Sequence, residues 1–169
     1  MTEPDKVWVL DTSALAETRR IVPAVQRRKV FAALEALINA GTLVYPRQVV
    51  AELTGGALTN GHDHPLELAK KYANTCARHE PLVDRVRAIL ADPVVARVLD
   101  SEKDTEEADP YVLALAQHHM AAGDQVVVLT EDARSRPDKL SLRDACGLLG
   151  IVSLTTGPYL ESVGIWKRS

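Results

Sequence analysis

The chain has few aromatics, little cysteine and no long apolar run, and each scarcity removes a class of function. Aromatic residues make up 4% with a single phenylalanine, so base-stacking platforms for single-stranded nucleic acid are sparse. The two cysteines, Cys76 and Cys146, stand far apart with no C-x-x-C pair, which argues against a disulfide framework and predicts inert thiols. The polar start, residues 1–6, leads into an apolar run too short for a signal segment or a membrane span. A reduced, cytoplasmic setting with no membrane partner is the expectation. Positive charge is not in excess either, with 20 Lys and Arg against 23 Asp and Glu. That balance excludes a wholesale basic coat for nucleic acid and leaves only local patches.

What is present is ordinary globular composition, 46% hydrophobic and 25% charged, in 169 residues that suffice for one core. A single domain over 1–169 is expected, without repeats or low-complexity segments. Short apolar runs at 7–10, 43–45, 125–130 and 151–154 predict strands, and their continuous apolarity points to cover on both faces. Helical patterns fill the intervals. Residues 24–40 carry Val25, Val30, Leu34, Leu37 and Ile38 as an apolar stripe. A shorter helix at 47–53 stops at Gly55-Gly56, and 54–64 reads as a loop. Residues 66–78, 81–90 and 93–99 read as helices of an insert or cap around 64–100, followed by an acidic loop at 101–108. A helix at 110–121 has Asp109 as its N-cap and Pro110 at its first position. Residues 142–149 form another, and a short one follows Gly157-Pro158. This order predicts an α/β fold, a mainly parallel central sheet in a three-layer α/β/α sandwich.

Such a sheet brings acids together. Asp11 and Asp132 follow strands and emerge at the carboxyl edge, where open α/β folds place their ligands. Glu52 lies about one helical turn from that edge, and Asp109 opens a helix whose N-terminus returns to it. Converging carboxylates repel one another and call for a hard, oxygen-seeking counter-ion, Mg²⁺ or Mn²⁺. Phosphodiester cleavage suits such a site. One ion could activate the attacking water, or two ions about 3.5–4 Å apart could stabilise the attacking and leaving oxygens. Asp11 and Asp109 are the first candidates for metal ligands and catalysis, with Glu52 and Asp132 completing the set directly or through water. Each acid alone has an ordinary explanation as a helix cap or a solvated charge, and Glu131 competes with Asp132 for the fourth place. The joint placement is what points to a site.

Four blocks in series carry a resemblance: Leu10-Asp11-Thr12-Ser13-Ala14-Leu15, Val49-Val50-Ala51-Glu52-Leu53, Ala108-Asp109-Pro110-Tyr111 and Val128-Leu129-Thr130-Glu131-Asp132. In order and spacing the chain resembles PIN domains over nearly its whole length. The resemblance implies a PIN-like fold and a Mg²⁺- or Mn²⁺-dependent endoribonuclease, a hydrolase acting on single-stranded or structured RNA. It also implies that Thr12, Ser13 and Thr130 help hold the acidic cluster. Many small prokaryotic members are VapC-type toxins, commonly dimeric and neutralised by a cognate antitoxin, so a homodimer and an antitoxin partner are further implications. The chain departs from the most compact of them in its long helical segment 55–108 and in lacking an aromatic within 134–138.

Basic residues near the fourth acid, Arg134 and Arg136 foremost and then Lys139 and Arg143, suit phosphate contacts that position a backbone without reading its sequence. Arg19, Arg20, Arg27, Arg28 and Lys29 form a second group, equally well read as solvated helix charge. His62, His64, His118 and His119 lack zinc spacing with the cysteines and suit capping or surface roles. Three other readings compete with the nuclease. A catalytically silent PIN-like module would bind RNA or a protein through the same pocket. A phosphoacceptor receiver fits poorly, having no acidic pair on the first strand. A phosphatase using Asp11 lacks the Gly-rich phosphate-gripping loop.

Overall fold

The computed structural model describes residues 5–56, 63–76, 82–100, 103 and 106–169. Strand β1 (Lys6–Leu10) lies at the centre of an all-parallel four-stranded sheet of order β2-β1-β3-β4, with β2 at Leu43–Val44, β3 at Gln125–Leu129 and β4 at Val152–Leu154. Strands β1 and β3 pair over their full length, from Lys6 opposite Gln125 to Leu10 opposite Leu129. The continuous apolar runs sit where the sheet is covered twice: Val7, Trp8, Val9 and Leu10 are all buried. The last run sits otherwise. Val152 on β4 is exposed because β4 is an edge strand with one neighbour.

Helices α1 (Thr12–Ile21) and α2 (Ala24–Asn39) connect β1 to β2. From β2 the chain passes through α3 (Gln48–Gly55), α4 (His64–Lys71), α5 (Ala73–Cys76), α6 (Leu82–Ala91), a 3-10 turn (Val95–Val98) and α7 (Asp109–Ala121) to β3. Helix α8 (Leu142–Leu148) leads to β4, and α9 (Thr156–Ser162) follows it. Crossovers between parallel strands are right-handed, so α1 and α2 on the way to β2 fall on one face and α7 and α8, which lead into β3 and β4, on the other, while α3 and α4 pack against α1 and α2. Helix α7 packs on β1 and β3 and α8 on β4, while α1 packs against α9. The result is a three-layer sandwich. Among the described residues no helix is long and apolar enough to cross a membrane.

Several local expectations needed correction. The stripe of α2 is Val30, Phe31, Leu34 and Ile38, whereas Val25 is 91% exposed. Val25 lies in the first turn, beside the bend at Pro23, before the helix meets the core. The expected helix at 66–78 starts earlier, at His64, and breaks at Tyr72, whose ring hydroxyl donates to Glu35 at 2.7 Å. Residues 93–99 supply only a 3-10 turn, started by Asp92, whose carboxylate accepts from the Val94 N–H at 2.8 Å. His62 and Pro81, part of the expected glycine-rich loop and part of the acidic loop lie outside the described residues.

The basic group near the N-terminus is partly structural. Arg20 pairs with Glu17 at 2.6 Å, and Arg27 donates to the carbonyls of Arg19 and Val22, closing the end of α1. Cys146 is buried, and its thiol is pushed up to about 12 by burial and then by the charges of Asp11 and Asp109, which makes it a poor nucleophile.

One helix supplies a direct check on this packing. Leu34→Ala in α2, at a position 1% exposed, is expected to cost about 2–5 kcal/mol, while Val25→Ala stays within about 0.5 kcal/mol of wild type. Urea unfolding of the two variants measures both, and similar losses would contradict the placement of the helix.

Candidate functional site

The site begins with a feature of topology. From β1 the chain turns toward β2, and from β3 it turns toward β4 on the other side, so the connections leave two adjacent strands in opposite directions. The crevice at the carboxyl ends of such a pair is where open parallel sheets receive ligands. Because Leu10 faces Leu129, the next residues, Asp11 and Thr130, stand side by side at its floor. The Asp11 N–H continues the pairing by donating to the Leu129 carbonyl at 3.0 Å.

Asp11 is 4% exposed and caps α1. One carboxylate oxygen accepts from the Thr12 N–H at 2.8 Å, and the other from the Ser13 hydroxyl at 2.6 Å and the Thr130 hydroxyl at 2.9 Å. The two hydroxyls extend the bracing, since Ser13 Oγ accepts from the Glu131 N–H at 3.0 Å and Thr130 Oγ1 from the Asp132 N–H at 3.0 Å. Thr12, Ser13 and Thr130 thus fix one carboxylate and the turn after β3 together. Burial pushes the Asp11 carboxyl above its ordinary range; the three hydrogen bonds oppose the rise and the Glu52 charge adds to it.

Glu52 on α3 uses both oxygens. One accepts from the Thr12 hydroxyl at 2.6 Å, the other from the Ala108 N–H at 2.7 Å. The second bond pins the residue immediately before Asp109, so Glu52 sets the entry to α7. That helix begins at Asp109 itself, with Ala108 as its N-cap and Pro110 in the first turn. Asp109 is therefore one position further into the helix than expected and forms no cap. Its side chain, 12% exposed, lies instead beside the ammonium of Lys139 at 3.3 Å. Asp132 shares that ammonium at 3.7 Å and accepts from the Leu142 N–H, at the start of α8, at 2.9 Å.

Glu131 and Asp132 divide cleanly. The Glu131 carboxylate accepts from the Thr156 N–H at 2.7 Å and so holds the start of α9. Asp132 joins Lys139 and Asp109. Arg134 and Arg136 are exposed on the loop after Asp132, with no contact to the acids in this geometry. Two further groups bear on the acids. Lys139 was read with the phosphate-contacting cations rather than as a partner of the acids. Glu107, 7% exposed, accepts from the Asp100 N–H at 2.7 Å and adds negative charge beside Lys139. Its one signal was its place next to the Asp109 block.

The cluster is undercompensated. Asp109 is pushed up to about 7, first by burial and then by the charge of Asp11, with Asp132 and Glu52 adding to the rise and Lys139 opposing it. Burial would lower the Lys139 ammonium, yet Asp109, Asp132 and Glu107 together raise it. Both partners of one ion pair move upward, the signature of a single positive charge facing several negative ones. Among the described residues no group of three or more His, Cys, Asp or Glu is already arranged to hold a metal ion.

Fold and site together define an α/β domain with a partly buried carboxylate cluster at the switch point of a parallel sheet. The chain belongs to the family described as Domain of unknown function (DUF4411), whose profile matches residues 8–166. No curated protein and no solved structure matches the chain.

The raised Asp109 carboxyl has a stability consequence of definite sign. Its folded value of about 7 lies above the unfolded one, so its contribution is fully present at pH below about 4 and is lost as the pH rises through about 7. Asp109→Asn should therefore stabilise the chelator-treated protein at pH 8, by on the order of 4 kcal/mol at most, and little or not at all at pH 4. Denaturant unfolding at the two pH values reads the difference. An equal effect at both would place Asp109 outside the electrostatic cluster.

Proposed function

We propose that this protein is a PIN-like endoribonuclease that cleaves RNA phosphodiester bonds with Mg²⁺ or Mn²⁺ held by Asp11, Asp109 and Asp132. The observation that carries the reading is the gathering of these acids at the switch-point crevice, with Asp109 forced up to about 7 by burial and by its acidic neighbours. Negative charge that a single ammonium leaves uncompensated, displayed entirely on carboxylate oxygens, is a donor set suited to a hard divalent ion. In this reading Glu52 completes the cluster directly or through water, while its bonds to Thr12 and Ala108 fix the entry to α7.

Bound there, the ion would lower the pKa of an attacking water and stabilise charge on the phosphate oxygens. The chain's own residues do the rest. Ser13, Thr130 and the Thr12 N–H hold the Asp11 carboxylate in one orientation, which removes the cost of ordering it during reaction. Arg134 and Arg136, exposed on the loop that begins at the fourth acid, are in this proposal the contacts to backbone phosphates. A cognate antitoxin and a homodimer extend this proposal from the same family resemblance.

A specific observation favours a second reading, a catalytically silent module that binds RNA or a protein. Lys139 already stands between Asp109 and Asp132, and no three acidic ligands are arranged around a common point among the described residues.

Cleavage separates the two. Nuclease-free protein is expected to cut single-stranded RNA with Mn²⁺ and to stop with chelator, and Asp11→Asn should lose at least about a hundredfold in rate. Wild type and Asp11→Asn acting at equal rates on a broad RNA panel would remove the enzyme reading. Under the same proposal, Arg134→Ala should weaken RNA binding and lower its salt dependence by about one phosphate contact. Filter binding across a salt series measures that slope, and an unchanged slope would take Arg134 out of the interface.

A further inference from the structure

The loop between β3 and α8 is built around one side chain. Arg136 and Lys139 pair backbone to backbone in an antiparallel bridge, with the Arg136 N–H donating to the Lys139 carbonyl at 2.7 Å and the return bond at 3.2 Å. Outside this turn the loop is fastened on two sides. The Arg97 guanidinium donates to the Pro137 carbonyl at 2.8 Å, and the Leu140 N–H donates to the Arg97 carbonyl at 2.8 Å, tying the loop to the 3-10 turn. Ser135 Oγ accepts from the Ser141 N–H at 2.9 Å and donates to Asp144, tying it to α8. A backbone so held presents Lys139 in one direction. Its side chain is only 17% exposed, and its ammonium meets Oδ2 of both Asp109 and Asp132.

We propose that Lys139 is a tethered cation that occupies the position of the divalent ion and must be displaced before that ion binds. The inference rests on the metal-site reading above and concerns how that site is controlled. The oxygens that meet the ammonium are those a metal would need, at about 2.0–2.1 Å for Mg²⁺, so one oxygen cannot face both cations along the same line. Like charges crowded at so short a separation in a buried crevice repel strongly. The ammonium therefore holds the metal-free cluster together and sets the concentration at which metal replaces it. A surface lysine would do neither, because its charge would be spread into water.

Titration calorimetry with MnCl₂ on wild type, Lys139→Met and Lys139→Arg tests this, beside a crystal structure of the wild type soaked in Mn²⁺. Lys139→Met should bind Mn²⁺ tighter than wild type by about tenfold or more, within the usual range for coupling between two bound species. Lys139→Arg, which keeps the charge, should stay close to wild type. In the soaked crystal the Lys139 ammonium should lie beyond contact with both carboxylates. Equal Mn²⁺ affinity in wild type and Lys139→Met, or an ammonium still paired with both acids beside a bound ion, overturns the displacement while leaving the metal site standing. No Mn²⁺ binding by any of the three proteins at millimolar concentration overturns the metal-site reading and this inference with it. Circular dichroism of Lys139→Met, matched to wild type, establishes that the affinities compared are those of folded protein.

Discussion

The carboxylate of Asp11 is the point on which the carboxyl edge of the sheet is assembled. It is buried, so it must be satisfied, and its three hydrogen bonds come from two different strand ends: Thr12 and Ser13 after β1, Thr130 after β3. The same hydroxyls then accept from the N–H groups of Glu131 and Asp132. One desolvated acid thereby determines where α1 starts and how the chain leaves β3. Acid geometry and backbone geometry are one network here, and a network of buried polar groups is rigid only when every member is satisfied.

The charge balance of the crevice follows from that network. Hydrogen bonds from neutral groups can orient a carboxylate, but they bring no positive charge. Asp11, Glu52, Asp109 and Asp132 therefore act on one another through a poorly screened interior, and the cost falls on Asp109, whose oxygens lack comparable donors. Lys139 relieves part of it. The site is strained in an electrostatic sense although its backbone is regular, with positive φ confined to glycines among the described residues.

What could be read from sequence, and what could not, divides by the range of the interaction. Asp11 was legible because an apolar run leads straight into it, and a strand end fixes where the next residue emerges. The parallel sheet was legible from the continuous apolarity of Val7 to Leu10, which are all buried. Val25 misled because periodicity gives the face of a helix and says nothing of where along its length the core begins. Asp109 misled by one position because Asp-Pro is a strong capping signal, while the nearby Glu52 carboxylate bonds the Ala108 N–H instead. Glu131 and Asp132 could not be separated, since that choice depends on α9 docking beside the β3 turn. Lys139 was hidden for a similar reason: its partners lie 30 residues away at Asp109 and across a turn at Asp132.

The bond from Ala108 to Glu52 joins the two ends of the long excursion between α3 and α7. In polymer terms that excursion is a closed loop, and within it α4 packs against α2 and α6 against α7. The entropic cost of closing a loop grows only with the logarithm of its length, about 0.6 kcal/mol for each doubling. Length can thus be added at little entropic cost in the connections between these helices, but not within α4, α6 or the 3-10 turn, whose Leu66, Leu68, Val86, Ile89, Val95 and Val98 belong to the core. The carboxylates and the connections of the excursion are in this way separately variable parts of one chain.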